Sequence, residues 1–479
     1  LLAEGWSLTG KRGKPFGSHE MVCAKEIDMR QGLTHRFFLT LPVFVLCLFA
    51  MTPSGVRADA STGTLSTEIF PPIQDHVHGS TIVELPNGDL LAAWFQGSGE
   101  RWADDVAIMG SRLKAGESRW SKPFLMADTP GFPDINPILF MDSQNRLWLM
   151  WYTVIANQWE TSLLKYRISE DYARQAGAPK WTWQDVLHVK PGDSAERGIQ
   201  PDDRFVKSVE RQIDEYAAYI REGIYASQPA QGLIAVGLWK AWGAQMLSKA
   251  RGEDMIRKGQ LRGPTGELKE TNLGYPYFQR MGWQTKNKAI LVDGQRLIVP
   301  LYSDGFSFSL MAITDDGGET WRFSEPLVAA GNIQPSIAKQ PDGTLVAYMR
   351  DNSPPPKRLH ISTSKDKGLT WSLVKDSELP NPGSGADIVT LRNGHWVLAY
   401  NDTEKGRESL AVSLSADEGK TWPYTRHLES GSPDKSSPSA AYPSIIQAAD
   451  GSLHVVYSYH GARKTIKHVR FTESWLKGQ

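Results

Sequence analysis

Three eight-residue phrases constrain this chain more tightly than anything else in it. Thr314–Trp321 runs TDDGGETW, Ser364–Trp371 runs SKDKGLTW and Ser415–Trp422 runs SADEGKTW, so Asp, Gly, Thr and Trp recur at the same offsets about every fifty residues. Recurrence at such a period means that one small structural unit is copied along the chain. Within the phrase, Asp and Thr side chains suit hydrogen bonds to nearby backbone amides, Gly permits a tight bend and Trp suits a slot between strands. These are the needs of a turn, so Asp316, Asp366 and Asp417 are expected to staple hairpins and not to catalyse.

A second recurring unit is a turn followed by an apolar run. It occurs as LPNGDLLAAW from Leu85, MDSQNRLWLMWY from Met141, VDGQRLIVPLY from Val292, PDGTLVAYMR from Pro341, RNGHWVLAYN from Arg392 and ADGSLHVVYS from Ala449. Asn-Gly and Asp-Gly between β-rich runs mark hairpins, because Gly accepts the positive φ of the tight turn. Six hairpins at this spacing predict an all-β fold, a six-bladed β-propeller, which protects strand edges by radial repetition. The spacing breaks once. After KYRIS and WTWQDVLHV complete the second blade, Pro191 to about Gln284 loses its strand rhythm. There Phe205, Val206, Val209, Ile213, Tyr216, Ala217 and Ile220 fall near helical spacing, with Asp202 or Asp203 as N-cap. The expectation is a partly helical insertion, about 191–284, either packed on the propeller's side or covering one mouth of its channel.

The first residues differ in character. MRQGLTHR from Met29 is basic, Phe37–Met51 is an apolar run, and Val56 and Ala58 suit signal-peptidase cleavage. This divides the chain into upstream sequence at 1–28, an export signal at 29–58 and the propeller at 59–479, giving a periplasmic or extracellular protein without stable membrane insertion. Both cysteines, Cys23 and Cys47, precede that boundary. Disulfides, thiolate nucleophiles and cysteine metal sites are thereby excluded from the mature part. Lys+Arg and Asp+Glu balance at 53 each, so nothing draws the chain to nucleic acid or anionic membranes.

Three boxes on a six-hairpin count resemble the Asp-box (BNR-repeat) sialidase superfamily, over essentially the whole mature chain. The resemblance implies arginines gripping a sugar carboxylate, an Asp acid/base and a Tyr nucleophile polarised by a Glu. A neutral Tyr suits a sugar whose own carboxylate would repel an anionic nucleophile. Arginines suit the carboxylate as planar bidentate donors. By order along the chain, Arg350 in LVAYMRDN and Arg407 in TEKGRES match carboxylate-binding arginines, and Tyr442 in SAAYPSII matches the nucleophile. Asp104 or, preferably, Asp105 in GERWADDVAI matches the acid/base. Two positions depart from the family. DHVHGST places His76, His78 and Ser80 where a further Arg is expected, and Gln334 in NIQPSIAK stands where the Glu belongs. Asp134, Asn136, Tyr302, Asp304, Asp387 and His460 lie near expected strand ends, and Asp387 could supply the carboxylate that Gln334 lacks. His76 and His78 fall on one face of a strand but lack a third ligand, so no metal site is expected.

Three functions follow from these residues. The first is an exported sialidase-type glycoside hydrolase acting on a terminal acidic sugar. The second is a polysaccharide lyase for uronic acids, with His78 or Tyr442 abstracting the proton beside the carboxylate. The third is a non-catalytic glycan-binding propeller. All three take an acidic glycan as partner, and none implies a cofactor.

Overall fold

The computed structural model describes residues 64–173, 176–193, 202–251, 281–432 and 437–479, with the backbone alone of 57–59, 257–262 and 268–273. The expectations for residues 1–56 lie outside the described residues.

Six antiparallel sheets of four or five strands follow one another along the chain, each built outward from one inner strand, and a separate two-stranded sheet pairs Arg257–Arg262 with Leu268–Leu273. The inner strands are His76–Glu84, Asp134–Met141, a broken strand of Gln284–Thr285 and Ile290–Val292, then Asn332–Lys339, Asp387–Thr390 and Ser439–Gln447. Each is joined to its neighbour by one of the six sequence hairpins: His76–Glu84 to Leu90–Gly97, for example, and Ser439–Gln447 to Leu453–His460. The chain is a six-bladed β-propeller, as the hairpin count predicts. The ring closes by borrowing across its ends. Thr64–Glu68 pairs antiparallel with Lys464–Phe471, in register Leu65 with Arg470, and so forms an outer strand of the last blade. An otherwise exposed edge is thereby paired, and both ends of the propeller are tied to one sheet.

The boxes sit between the third and fourth strands of their blades and behave as turns. Asp316 accepts from the Thr320 amide at 2.9 Å, Asp366 from Thr370 at 2.9 Å and Asp417 from Thr421 at 2.9 Å. The hydroxyl that opens each box accepts the glycine amide: Thr314 from Gly318, Ser364 from Gly368 and Ser415 from Gly419. The Thr320 hydroxyl and amide hold the Asp316 carboxyl at about 2, and Thr421 does the same for Asp417. The box glycine has a second duty. At Gly318, with φ of 96°, an added Cβ would lie 2.5 Å from the Trp148 ring of the preceding blade. At Gly368 it would meet Ile298 of the preceding blade at 2.8 Å. The bend and the close approach of two blades both require the missing side chain.

The insertion contains helix α1 (Arg204–Tyr219) and helix α2 (Pro229–Ala250). All the apolar positions named from the periodicity are buried, Phe205 through Ile220. Asp203 is the N-cap position, but its carboxylate accepts the Asp193 amide at 3.2 Å. The helices dock on the propeller's flank. Gln212 donates to the Pro326 carbonyl at 2.7 Å and accepts from the Val328 amide at 2.9 Å, while the Tyr219 hydroxyl accepts the Asp376 amide. Helix α2 packs back on α1, where the Trp239 indole donates to the Ile213 carbonyl at 2.8 Å. Of the two placements the sequence allowed, the described helices take the side. None of the described helices is long and apolar enough to cross a membrane.

Candidate active site

At one depth in the propeller the inner strands stop being regular. A bulge shifts the register between His78 and Thr81, Ile135 and Ile138, Ile333 and Ser336, and Ala441 and Ser444. Inside each bulge one residue takes positive φ: Gly79 at 61°, Asn136 at 46°, Gln334 at 57° and Tyr442 at 56°. Bulges of this kind re-aim a side chain. A non-glycine residue held in the left-handed region costs about 1–3 kcal/mol and persists where its surroundings over-determine it. Three of the four carry polar side chains inward, and these meet.

They meet in a cavity of about 490 Å³ whose lining includes Asn136, Tyr302, Gln334, Arg350, Arg407 and Tyr442. The Tyr442 hydroxyl oxygen accepts from Arg350 Nη1 at 2.8 Å and from Gln334 Nε2 at 3.1 Å. Gln334 Nε2 also lies 3.4 Å from the Tyr302 hydroxyl, to which Asn136 Nδ2 donates at 3.3 Å. Arg407 donates to the Gly383 carbonyl at 2.8 Å and holds its guanidinium 5.5 Å from the Tyr442 ring centre. The His78 ring lies 4.1 Å from that of Tyr442, centre to centre, and its Nδ1 is 2.8 Å from Ser458 Oγ. Burial, with His460, Arg407, His76 and Lys286 nearby, drives His78 well below the usual histidine range, so its imidazole is neutral.

Three carboxyl groups reach this lining, Glu100, Glu160 and Asp304. The surroundings of two of them, Asp304 and Glu100, push them apart. Burial pushes Asp304 up, against the opposing pull of Arg350 and a hydrogen bond from Gln284. Burial acts the same way on Glu100, but His76 at 3.1 Å, with Arg101 and Arg407, holds it below the ordinary carboxylate range. One carboxyl is thus suited to hold a proton and the other to stay ionised.

The structure therefore brings together Tyr442, Arg350, Arg407, Gln334 and His78, with His76 behind Glu100. It does not bring Asp105 or Asp104 to the cavity. Asp105 instead caps its own loop, accepting from the Ser98 amide at 3.1 Å and hydroxyl at 2.8 Å, which hold it ionised; Asp104 is exposed and outside the lining. Asp134 is buried just behind the lining, accepting from the Thr129 and Thr153 hydroxyls. Asp387 is likewise occupied elsewhere: Lys288 at 2.5 Å, Ser336 at 2.6 Å and the Ile445 amide at 2.9 Å all donate to it. It does not stand in for a glutamate at position 334. His460 bonds the Val77 carbonyl at 2.6 Å.

Of the charged groups here, Glu100, Glu160 and Lys286 escaped the sequence reading. Glu100 shares GERWADDVAI with the two aspartates, and nothing in that stretch ranks one carboxylate over another. A usable signal for the inner ring was present in DINPIL, NIQPSI and AAYPSI, where a polar residue precedes Pro at one point in three inner strands. A slightly larger depression, about 540 Å³, lies on the outer flank and is lined by box residues such as Glu319 and Trp321. Among the described residues no group of three or more His, Cys, Asp or Glu is placed to hold a metal ion.

Comparison with known proteins agrees with the six-bladed fold. A family model described as a BNR repeat-like domain matches residues 88–195 and 266–455, more than half of the chain. A sialidase of Micromonospora viridifaciens is 25% identical over 175 residues, 34% of this chain and 25% of that protein. An anhydrosialidase of Macrobdella decora is 23% identical over 212 residues, 38% of this chain and 27% of its own length. The matches thus span about a quarter of these relatives. Among solved structures, a leech intramolecular trans-sialidase superposes with a TM-score of 0.55 at 16% identity, covering 86% of this chain and 71% of that one. A Dyadobacter fermentans protein of unknown function gives 0.57 at 13% identity, covering 85% and 98%. Similarity at that level speaks for the fold.

Proposed function

This chain belongs to the BNR repeat-like domain family, and from that premise we propose that it is a sialidase-type glycoside hydrolase acting on a terminal acidic sugar. The observation that carries the reading is the Tyr442 hydroxyl, whose oxygen accepts from Arg350 and Gln334 inside the cavity. A cationic and a neutral donor on one phenol oxygen favour negative charge developing there. Arg350 and Arg407 are the guanidinium groups of the lining, and they receive the sugar carboxylate. Tyr442 attacks the anomeric carbon as the bond to the leaving group breaks. Asp304, whose carboxyl burial pushes up, gives the leaving oxygen its proton, and Glu100, kept ionised, takes the proton of the phenol. Water then displaces the tyrosyl oxygen from the anomeric carbon, giving a proton to Asp304 as Glu100 returns its own to the phenol. Gln334 cannot accept a proton, so this duty has to move from position 334.

A second reading is elimination on a uronic acid. The neutral His78 ring against Tyr442 and the absence of a carboxylate at position 334 favour it. One experiment separates the two. The chain from about Asp59 onward is incubated with a fluorogenic sialoside and with uronate polymers, beside its Tyr442→Phe variant. Aglycone release that the variant loses is the expected result. An unsaturated, ultraviolet-absorbing product from a uronate polymer would replace hydrolysis by elimination, and binding without any product would leave only a glycan-binding propeller. Export is part of the proposal, supported by the basic and apolar run of Met29 to Met51. N-terminal sequencing of protein recovered outside the cytoplasm should begin near Asp59.

A further inference from the structure

Beneath Tyr442 lies a lysine that the mechanism above does not use. Lys286 occupies the gap in the broken inner strand of the third blade, and its side chain is 2% exposed. Its ammonium donates to the Pro443 carbonyl at 3.1 Å and to Asn287 Oδ1 at 3.1 Å, and sits 5.4 Å from the centre of the Tyr442 ring. Among the described residues no carboxylate forms an ion pair with it. The carboxylate that acts on it, Asp387, is bonded by Lys288 at 2.5 Å. An ammonium buried on neutral acceptors is costly, and an apolar side chain of the same length would fill the space without that cost.

The surroundings are shaped to admit it. At Gly385 an added Cβ would lie 3.1 Å from Lys286 Cε and 3.0 Å from Gln334 Oε1. The neighbouring Asn287 donates to the carbonyls of Gln334 and Pro335, both at 3.0 Å. Lys286 and Asn287 together therefore tie down the two bulges that present Tyr442 and Gln334. The Pro443 carbonyl that Lys286 grips follows directly on the left-handed Tyr442.

We infer that Lys286 is a positioning residue for Tyr442, bracing its bulge and placing a positive charge under the ring, so that negative charge developing on the phenol oxygen during attack is met by cations. Arg350 stands on the oxygen and Lys286 below the ring. The pair offers an electrostatic replacement for a polarising carboxylate at position 334. The inference rests on Tyr442 being the reacting group. The charged and titratable groups that face Lys286 are Asp387 from the fifth blade, Lys288 on its own segment, and His78 and Tyr442 on the first and last blades. Burial pushes the ammonium down to about 8, Asp387 opposing and Lys288 assisting, so it is charged at neutral pH.

The test reads turnover against pH. In the parent, kcat should fall as the Lys286 ammonium loses its proton near pH 8, with KM little changed. Lys286→Met, and Lys286→Gln, which keeps a donor for Pro443 but no charge, should lower kcat by about tenfold or more and lose that alkaline limb. Both variants should fold, since the replacements fit the same space. A full kcat with an unchanged alkaline limb in both variants overturns the inference. Tyr442→Phe with full turnover would overturn the function proposed for Tyr442 instead. Lys286→Met failing while Lys286→Gln behaves like the parent would show that bracing without charge is all Lys286 provides, and would also overturn it.

Discussion

The outer turns and the inner bulges of this propeller are both copied from blade to blade, but different things are copied. In the box turns the side chains recur: Asp316, Asp366 and Asp417 accept the same amide at the same 2.9 Å. In the bulges the backbone recurs while Gly79, Asn136, Gln334 and Tyr442 differ. A turn that staples a hairpin has one good chemical solution, so its residues repeat. A ring of bulges facing one cavity is useful when every position supplies a different group, so only the backbone repeats. Repetition in sequence therefore marks the frame, and repetition in backbone with unlike side chains marks the site.

Substitutions at the two regions should split cleanly. The largest effect belongs to the inner ring: Tyr442→Phe should lower turnover on the substrate by on the order of 10²- to 10⁴-fold with the melting temperature unmoved. Steady-state kinetics beside calorimetry check this, and a variant that loses stability and keeps turnover would erase the contrast. Asp366→Ala should do the opposite. It removes the acceptor for the Thr370 amide and hydroxyl, costing about 1–2 kcal/mol in denaturant unfolding with kcat of the folded protein unchanged.

A pH scan probes the closing blade. His454 and His468 are stacked, with Nδ1 and Nε2 2.9 Å apart, and burial pushes His454 down to about 4 from its ordinary 6.5 and His468 well below that value. The unfolded chain then binds more protons than the folded one between about pH 6.5 and 4. Stability should be full above 6.5 and fall as pH drops through that window, and a double His454→Gln, His468→Gln variant should show a shallower fall. The smallest effect is expected at Asp105→Asn. The residue caps the Ser98 loop away from the cavity, so turnover should stay within about twofold, the accuracy to which a surface substitution leaves function alone. A loss comparable to that of Tyr442→Phe would return the acid/base duty to Asp105 and take it from Asp304.

How much of this was written in the chain depends on range. Six hairpins, three box turns and the apolar face of α1 depend on residues a few positions apart, and those spacings alone gave the blade number and the insertion. Order along the chain was also enough to align Arg350, Arg407, Gln334 and Tyr442, because a propeller places equivalent points of successive blades around one axis. What order could not supply is which side of a loop a carboxylate faces. Asp105 turns back to Ser98, whereas Glu100 of the same loop points inward to His76. Nor could it show that Asp387 is occupied by Lys288, a residue 99 positions away, or that Lys286 lies under Tyr442. Local chemistry determined the repeating frame, since turns and hairpins are settled by neighbours in sequence. The protonation states and pairings of the central groups were decided only when six blades met, because burial and charge in that cavity come from residues hundreds of positions apart.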